Sequence, residues 1–166
     1  MNGIRYAEGL KILPILAPAD IVATATATQY VDLKLVNWAT FFVSFGAVAS
    51  TDSTGAAVVT LQASTAGTSN ATEVSVAFPY RLSAAVATDT MGALATATTA
   101  GASVGQADDN KVLVVDVDPA VIAAQGADYR FVRLVVTPTA EVTSTIVGAV
   151  AVLEHRFPGN SIPSST

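Results

Sequence analysis

Cysteine is absent from the 166 residues, so neither a disulfide framework nor a thiolate metal site is available, and reducing and oxidising surroundings suit the chain alike. Histidine occurs once, as His155 between Glu154 and Arg156. A catalytic dyad with Glu154 is disfavoured, because adjacent strand residues point to opposite faces. No other histidine is a candidate for a His-dependent triad or a His-rich metal site. Cations are scarce as well: 8 Lys and Arg stand singly against 13 Asp and Glu, for a formal net charge of −5. Neutralising phosphates takes clustered cations, so nucleic acid is not an expected partner. Long apolar runs are also missing. The richest stretch, residues 10–22, is interrupted by Pro14, Pro18 and Asp20, and reads as an extended arm rather than a signal peptide or a membrane span.

What fills the chain instead is small and β-branched. Apolar residues make up 51% of the sequence, much of it alanine set among Thr, Val, Ser and Gly. β-Branched neighbours lose rotamer freedom in a helix and pack well on a pleated surface, so composition favours strands. At this length one domain can bury a complete core. The expected fold class is all-β: an antiparallel β-sandwich or jelly-roll-like domain with one short helix and extended N- and C-terminal arms. The expected divisions are an arm over residues 1–28, the sandwich over 29–157 and a tail over 158–166.

The nucleus of that fold is residues 30–64. Tyr30, Asp32 and Lys34 alternate with Val31, Leu33 and Leu35, the mark of a half-buried strand. Residues 39–45 are apolar on both faces except for Thr40 and Ser44 and read as a central strand. The polar cluster at 50–55 predicts a hairpin turn into a strand over 57–64. Residues 73–79 alternate with Val74, Val76 and Phe78 on one face, and Pro79 is expected to end that strand or place it at an edge. From 83 to 110 the chain is rich in Ala, Thr, Gly and Ser, which predicts a long surface loop with one strand near 94–99.

Residues 111–117 follow as a buried strand. Asp118 and Pro119 supply a helix cap and a first helical position, and Gly126 a left-handed stop, for about two helical turns. Strands over 128–137 and 143–153 are expected to pair across a turn at 139–141. The N-terminal run should hold at most short strands, and it is too apolar to leave in water, so it should dock on its own sheet or on a neighbour. The tail has only Ile162 to bury and needs a partner to become ordered.

Chemical motifs are weak. Asp116 and Asp118 share a sheet face, and with Asp108 and Asp109 they could offer oxygens to a hard cation. The spacing matches no EF-hand, and Asp118 is better explained as a helix cap, so no metal site is expected. The glycines at 101 and 105 lack the lysine and spacing of a phosphate loop. Trp38, Phe41, Phe42 and Phe45 form the largest aromatic cluster, read as core. No catalytic residue and no cofactor is expected; the chain does not read as an enzyme.

One ordering of segments is familiar: Tyr-Val-Asp-Leu-Lys at 30–34, Trp-Ala-Thr-Phe-Phe-Val-Ser-Phe-Gly-Ala at 38–47 and Val-Thr-Leu-Gln-Ala-Ser-Thr-Ala at 59–66. Lys-Val-Leu-Val-Val-Asp-Val-Asp follows at 111–118, Tyr-Arg-Phe-Val-Arg-Leu at 129–134 and Ala-Val-Leu-Glu-His-Arg-Phe at 151–157. This order resembles small tailed-bacteriophage virion proteins, several of which are capsid decoration or cement proteins. The resemblance implies a structural protein on the outer surface of a capsid, made in the host cytoplasm, with the major capsid protein and copies of itself, as a homotrimer, for partners. Nucleic acid and membrane are not among them. Partner-binding candidates lie in the arms: Leu10, Ile12, Leu13, Ile15, Leu16, Phe157 and Ile162. The alternative is a tail or fibre β-sandwich module that recognises a glycan or another host-surface ligand, although the 83–110 loop offers no aromatic residue to stack on a sugar.

Overall fold

The computed structural model describes residues 10–22, 24–68, 72–86 and 88–156. The chain folds as an antiparallel β-sandwich. Its front sheet holds β1 (Leu10–Asp20), β12 (Val142–His155), β4 (Val36–Ser50), β10 (Val112–Val117), β7 (Phe78–Leu82) and β8 (Ala95–Ala97), in that lateral order. Its back sheet runs β2 (Thr26–Ala27), β11 (Phe131–Pro138), β5 (Ala56–Ser64) and β6 (Glu73–Val76). Beside that path β3 (Val31–Asp32) pairs with β11 and β9 (Ala102–Gly105) with β5. Every pairing is antiparallel.

Alternation builds the core. Ala39, Phe41, Val43 and Phe45 from β4 point inward with Val147, Ala149, Ala151 and Leu153 from β12. They meet Val59, Leu61 and Ala63 of β5 and Val132, Leu134 and Val136 of β11 across the sandwich. Small alanines beside valines let the two sheets close at the usual spacing of about 10 Å without a helix between them.

Two expected hairpins turn out to be crossings between sheets. The polar cluster at 50–55 carries the chain from β4 in the front sheet to β5 in the back, and the turn at 139–141 carries it back from β11 to β12. The crossings stack: Thr51 donates its backbone N–H to Glu141 O at 2.9 Å, and Thr139 donates to Ala56 O at 2.9 Å. β4 therefore pairs with β12 while β5 pairs with β11. Turn chemistry is the same for a hairpin and a crossing; the inward residues of both flanking strands decide it, since each must reach the common core.

The same logic carries the chain between sheets at two further places. β3 lies in the back sheet and β4 in the front, with a turn at Lys34 and Leu35 between them. The chain leaves β6 for β7 at Ala77, so Pro79 sits inside a strand. Pro79 is opposite Thr96 of β8, and the pairing of β7 with β10 begins at Tyr80, so the missing N–H interrupts no bond on that side. The 83–110 region holds β8 near the expected place. It also holds β9, which the sequence did not suggest, and a tight turn at Gly101 with φ +96°, where a Cβ would stand 2.5 Å from Val59 O.

The helix α1 (Pro119–Ala123) is shorter than expected, five residues rather than two full turns. Asp118 caps it as predicted, accepting from the Ala120 N–H at 2.8 Å. The helix ends in a right-handed Ala124, and Gly126, at φ +155°, turns the chain past the Tyr129 ring instead of capping in the left-handed region.

The N-terminal run was expected to hold at most short strands. Leu10–Asp20 instead forms an 11-residue edge strand on the domain's own β12, with register shifts at Pro14/Leu16 and Leu16/Ala19. Ile15 and Ile21 are buried in the core, and Gln29 donates to Ile15 O at 2.8 Å.

Candidate interaction surface

Inward alternation on the front sheet fixes what faces outward. β4 presents Trp38, Thr40, Phe42 and Ser44, while β12 presents Ile146, Gly148, Val150, Val152 and Glu154. β10 presents Val112, Val114 and Asp116. Register then lines these up. Pro14, Val150, Phe42, Val114 and Arg81 stand in one row across five strands, and Ile12, Val152, Thr40 and Asp116 in the next. An outward sheet face normally carries polar residues; this one is a band of aliphatic and aromatic side chains. Ile12 is 53% exposed, Ile146 52%, and Trp38 and Phe42 40% each. Met91 and Leu94, beyond β7, extend the exposed apolar surface past the sheet.

The aromatic cluster read as core is therefore divided. Phe41 and Phe45 are buried, while Trp38 and Phe42 look outward. Of the arm candidates, Ile15 is buried in the core with Leu13 and Leu16 packed against it, and only Ile12 and the half-buried Leu10 sit in the outward rows. Phe157 and Ile162 lie outside the described residues. The outward residues of β4, β10 and β12 were missed. Thr40 and Ser44 share the parity of Trp38 and Phe42, and that mixture of polar and aromatic residues on one face was the available signal.

Two carboxylates stand in the outward rows, Glu154 opposite Trp38 and Asp116 opposite Thr40. Asp116 Oδ1 accepts from the Thr40 hydroxyl at 2.8 Å and the Trp38 indole N–H at 3.4 Å. Both donors are neutral, and no described cation pairs with it. The other acids once grouped with it have separate tasks: Asp108 bonds Lys111 Nζ at 2.9 Å, Asp109 accepts the Val48 N–H at 2.7 Å, and Asp118 caps α1. Among the described residues, no three His, Asp or Glu side chains gather to hold a metal ion. His155 lies opposite Val36, and its Nε2 has no hydrogen-bond partner among the described residues.

The back sheet's outward face is finished differently. Arg133 donates to Glu73 Oε2 at 2.6 Å and to Gln62 Oε1 at 2.9 Å, and its guanidinium lies 4.8 Å over the Tyr30 ring. The Tyr30 hydroxyl donates to the other oxygen of Glu73. Burial, and then that bond to an anion, hold the Tyr30 hydroxyl above its ordinary pKa of 10.0. Arg130 pairs with Asp32 at 3.4 Å and stacks on Phe131. A cleft of about 450 Å³ opens between this rim and β1, lined by Leu13, Ile15, Tyr30, Asp32, Arg130 and Phe131 among others. Its aromatic faces are already covered by the two arginines, which leaves little to hold a ligand.

No protein-family model matches the chain, and no curated protein matches it in sequence. Two solved structures of infectious bursal disease virus, from the Gx and Gt strains, share 10% identity with it at TM-scores of 0.28 and 0.26. They cover 87% and 88% of this chain, which spans only 39% and 41% of theirs. Overlap at this level is too slight to carry a role from those particles to this chain.

Proposed function

We propose that the protein is a structural component of a virion, acting by binding rather than catalysis, and that it decorates the outer surface of a bacteriophage capsid. The observation that carries the reading is the outward face of the front sheet. An apolar band over β1, β12, β4 and β10, with Trp38 and Phe42 exposed, is costly to leave in water and is the composition of an interface centre. The resemblance of the ordered segments to phage decoration proteins supplies the particle. Many copies, joined through such faces across capsomer boundaries, would resist expansion under the pressure of a packaged genome.

This reading puts the binding surface on the sheet rather than on the arms, where Ile15 is buried in the core with Leu13 and Leu16 packed against it. Truncation through residue 22 would remove an edge strand and the core residues Ile15 and Ile21, so it tests folding rather than tethering. The informative experiment is co-sedimentation with expanded phage shells that lack the protein. Wild-type chain should bind, and Phe42→Glu, a change at an exposed position, should not. Equal occupancy by the two would overturn the proposal. A glycan-recognising tail module would instead bind oligosaccharides through the β1 cleft in an array assay, independently of Phe42.

A further inference from the structure

We infer that the partner docking on the front face is a second copy of this chain, related by a twofold axis that passes close to Phe42. The inference rests on the assembly reading of this same face and names what covers it. Two observations carry it: the charges on the face and its extent.

Among the outward residues of the described front-sheet strands, Arg81 is the one cation, and its Nη1 is bonded only to Gly92 O, at 3.1 Å. Asp116 is an acid that only neutral donors touch. Docking any partner strips water from Asp116, which is tolerable when a cation arrives with the partner. A second copy brings one. Arg81 is opposite Val114, one strand over and two residues along from Asp116. With strands about 4.8 Å apart and residues about 3.4 Å apart along them, the two positions are separated by about 8 Å.

For two identical faces in contact, the twofold axis lies in the plane between them. On the same ideal spacing, the axis that exchanges Arg81 with the other copy's Asp116 passes within about 2 Å of Phe42. Three pairings then follow from one operation. Arg81 meets Asp116 twice, Phe42 meets its own mate, and Trp38 meets the exposed Met91, which sits beside Ser83 at the far edge. Indole against thioether is a favourable contact. The strands of the two copies cross at about 70°, near the orthogonal class of sheet packing.

The extent of the face suits a dimer. The five strands run to 11, 14, 15, 6 and 5 residues, and at about 16 Å² of sheet per residue their face spans on the order of 800 Å² in projection, comparable to the roughly 800 Å² per partner of a standard interface. The contact is isologous, which differs from the threefold gathering that the phage resemblance implies.

The test is sedimentation equilibrium of the full chain, with circular dichroism to confirm folding of each variant. Wild-type protein should form a reversible dimer, and Phe42→Glu, Arg81→Asp and Asp116→Arg should each sediment as monomers. The double variant carrying Arg81→Asp and Asp116→Arg should regain the dimer. Because Asp116 also anchors Thr40 and Trp38, the Phe42 and Arg81 variants, at exposed positions, keep the test decisive should Asp116→Arg misfold. A wild type that stays monomeric, a trimer, or a dimer indifferent to Phe42→Glu would overturn the inference. Shell binding separates it from the function proposed above. A monomer whose capture by shells still depends on Phe42 overturns only the second-copy inference, and a Phe42-dependent dimer with no affinity for shells overturns only the capsid reading.

Discussion

On the back sheet Arg133 joins Gln62, Glu73 and Tyr30 into one network, and Arg130 closes a second pair with Asp32. On the front sheet the corresponding outward row holds Val150, Phe42 and Val114, and Asp116, in the next row, has no cation. Both faces come from the same alternation and cover the same core. Side chains that satisfy one another make a face complete in water, as on the back. Apolar side chains and an acid left without partners make a face that is costly to hold in water, as on the front. Asp52, in the crossing from β4 to β5, shows the first condition in miniature. The Thr54 hydroxyl and backbone N–H both donate to its carboxylate, which holds its pKa below the ordinary value.

The comparison breaks most sharply at two adjacent phenylalanines. Phe41→Ala should destabilise the monomer by about 3–5 kcal/mol, since its ring is fully buried. Phe42→Ala should stay within about 0.5 kcal/mol, since its ring faces out. Chemical denaturation of the two variants checks this, and a large loss at Phe42 would mean the front face is part of the fold's own support.

A second contrast sets Arg133 against Asp116. Arg133→Met leaves Glu73 without its charge-assisted bond at a site where both side chains are about four-fifths covered, and should cost about 1.5–3 kcal/mol. Asp116→Ala removes an acceptor from Thr40 and Trp38 and should cost about 0.5–1.5 kcal/mol. Equal losses in urea titrations would erase the distinction between a finished face and an open one.

The smallest effect is in alkaline titration of the back face. Tyr30 is held above its ordinary pKa of 10.0, so folding favours the protonated hydroxyl that donates to Glu73. The resulting stability is fully present below the ordinary value and is lost as pH rises through the raised one. Tyr30→Phe should flatten that alkaline decline in thermal melts; an unchanged slope would remove Tyr30 from the network's energetics.

The sequence showed strands well and sheets poorly. The alternation of Val132, Leu134 and Val136, the cap at Asp118 and the β-rich composition are local, and the structure keeps each of them. Which sheet a strand joins is decided by pairing between distant residues, such as Val150 with Phe42, and no local pattern carries that. This is why the polar clusters at 50–55 and 139–141 read as hairpins. The candidate surface was half legible for a related reason. Residues 39–45 show apolar side chains at both parities, which a strand covered on both faces and a strand with one sticky open face share. Only the missing second layer over Phe42, seen in three dimensions, separates the two. The N-terminal run was misjudged because its prolines argued against a strand, whereas the edge of a sheet tolerates Pro14 and Pro18 through register shifts.

The central claim, that the front face is the working surface, is tested most directly by hydroxyl-radical footprinting of the free and the assembled protein. Trp38, Phe42 and Ile12 should lose reactivity on assembly while Tyr30 and Phe131 on the back face keep theirs. Protection of Tyr30 and Phe131, with Trp38 and Phe42 unchanged, would contradict the account.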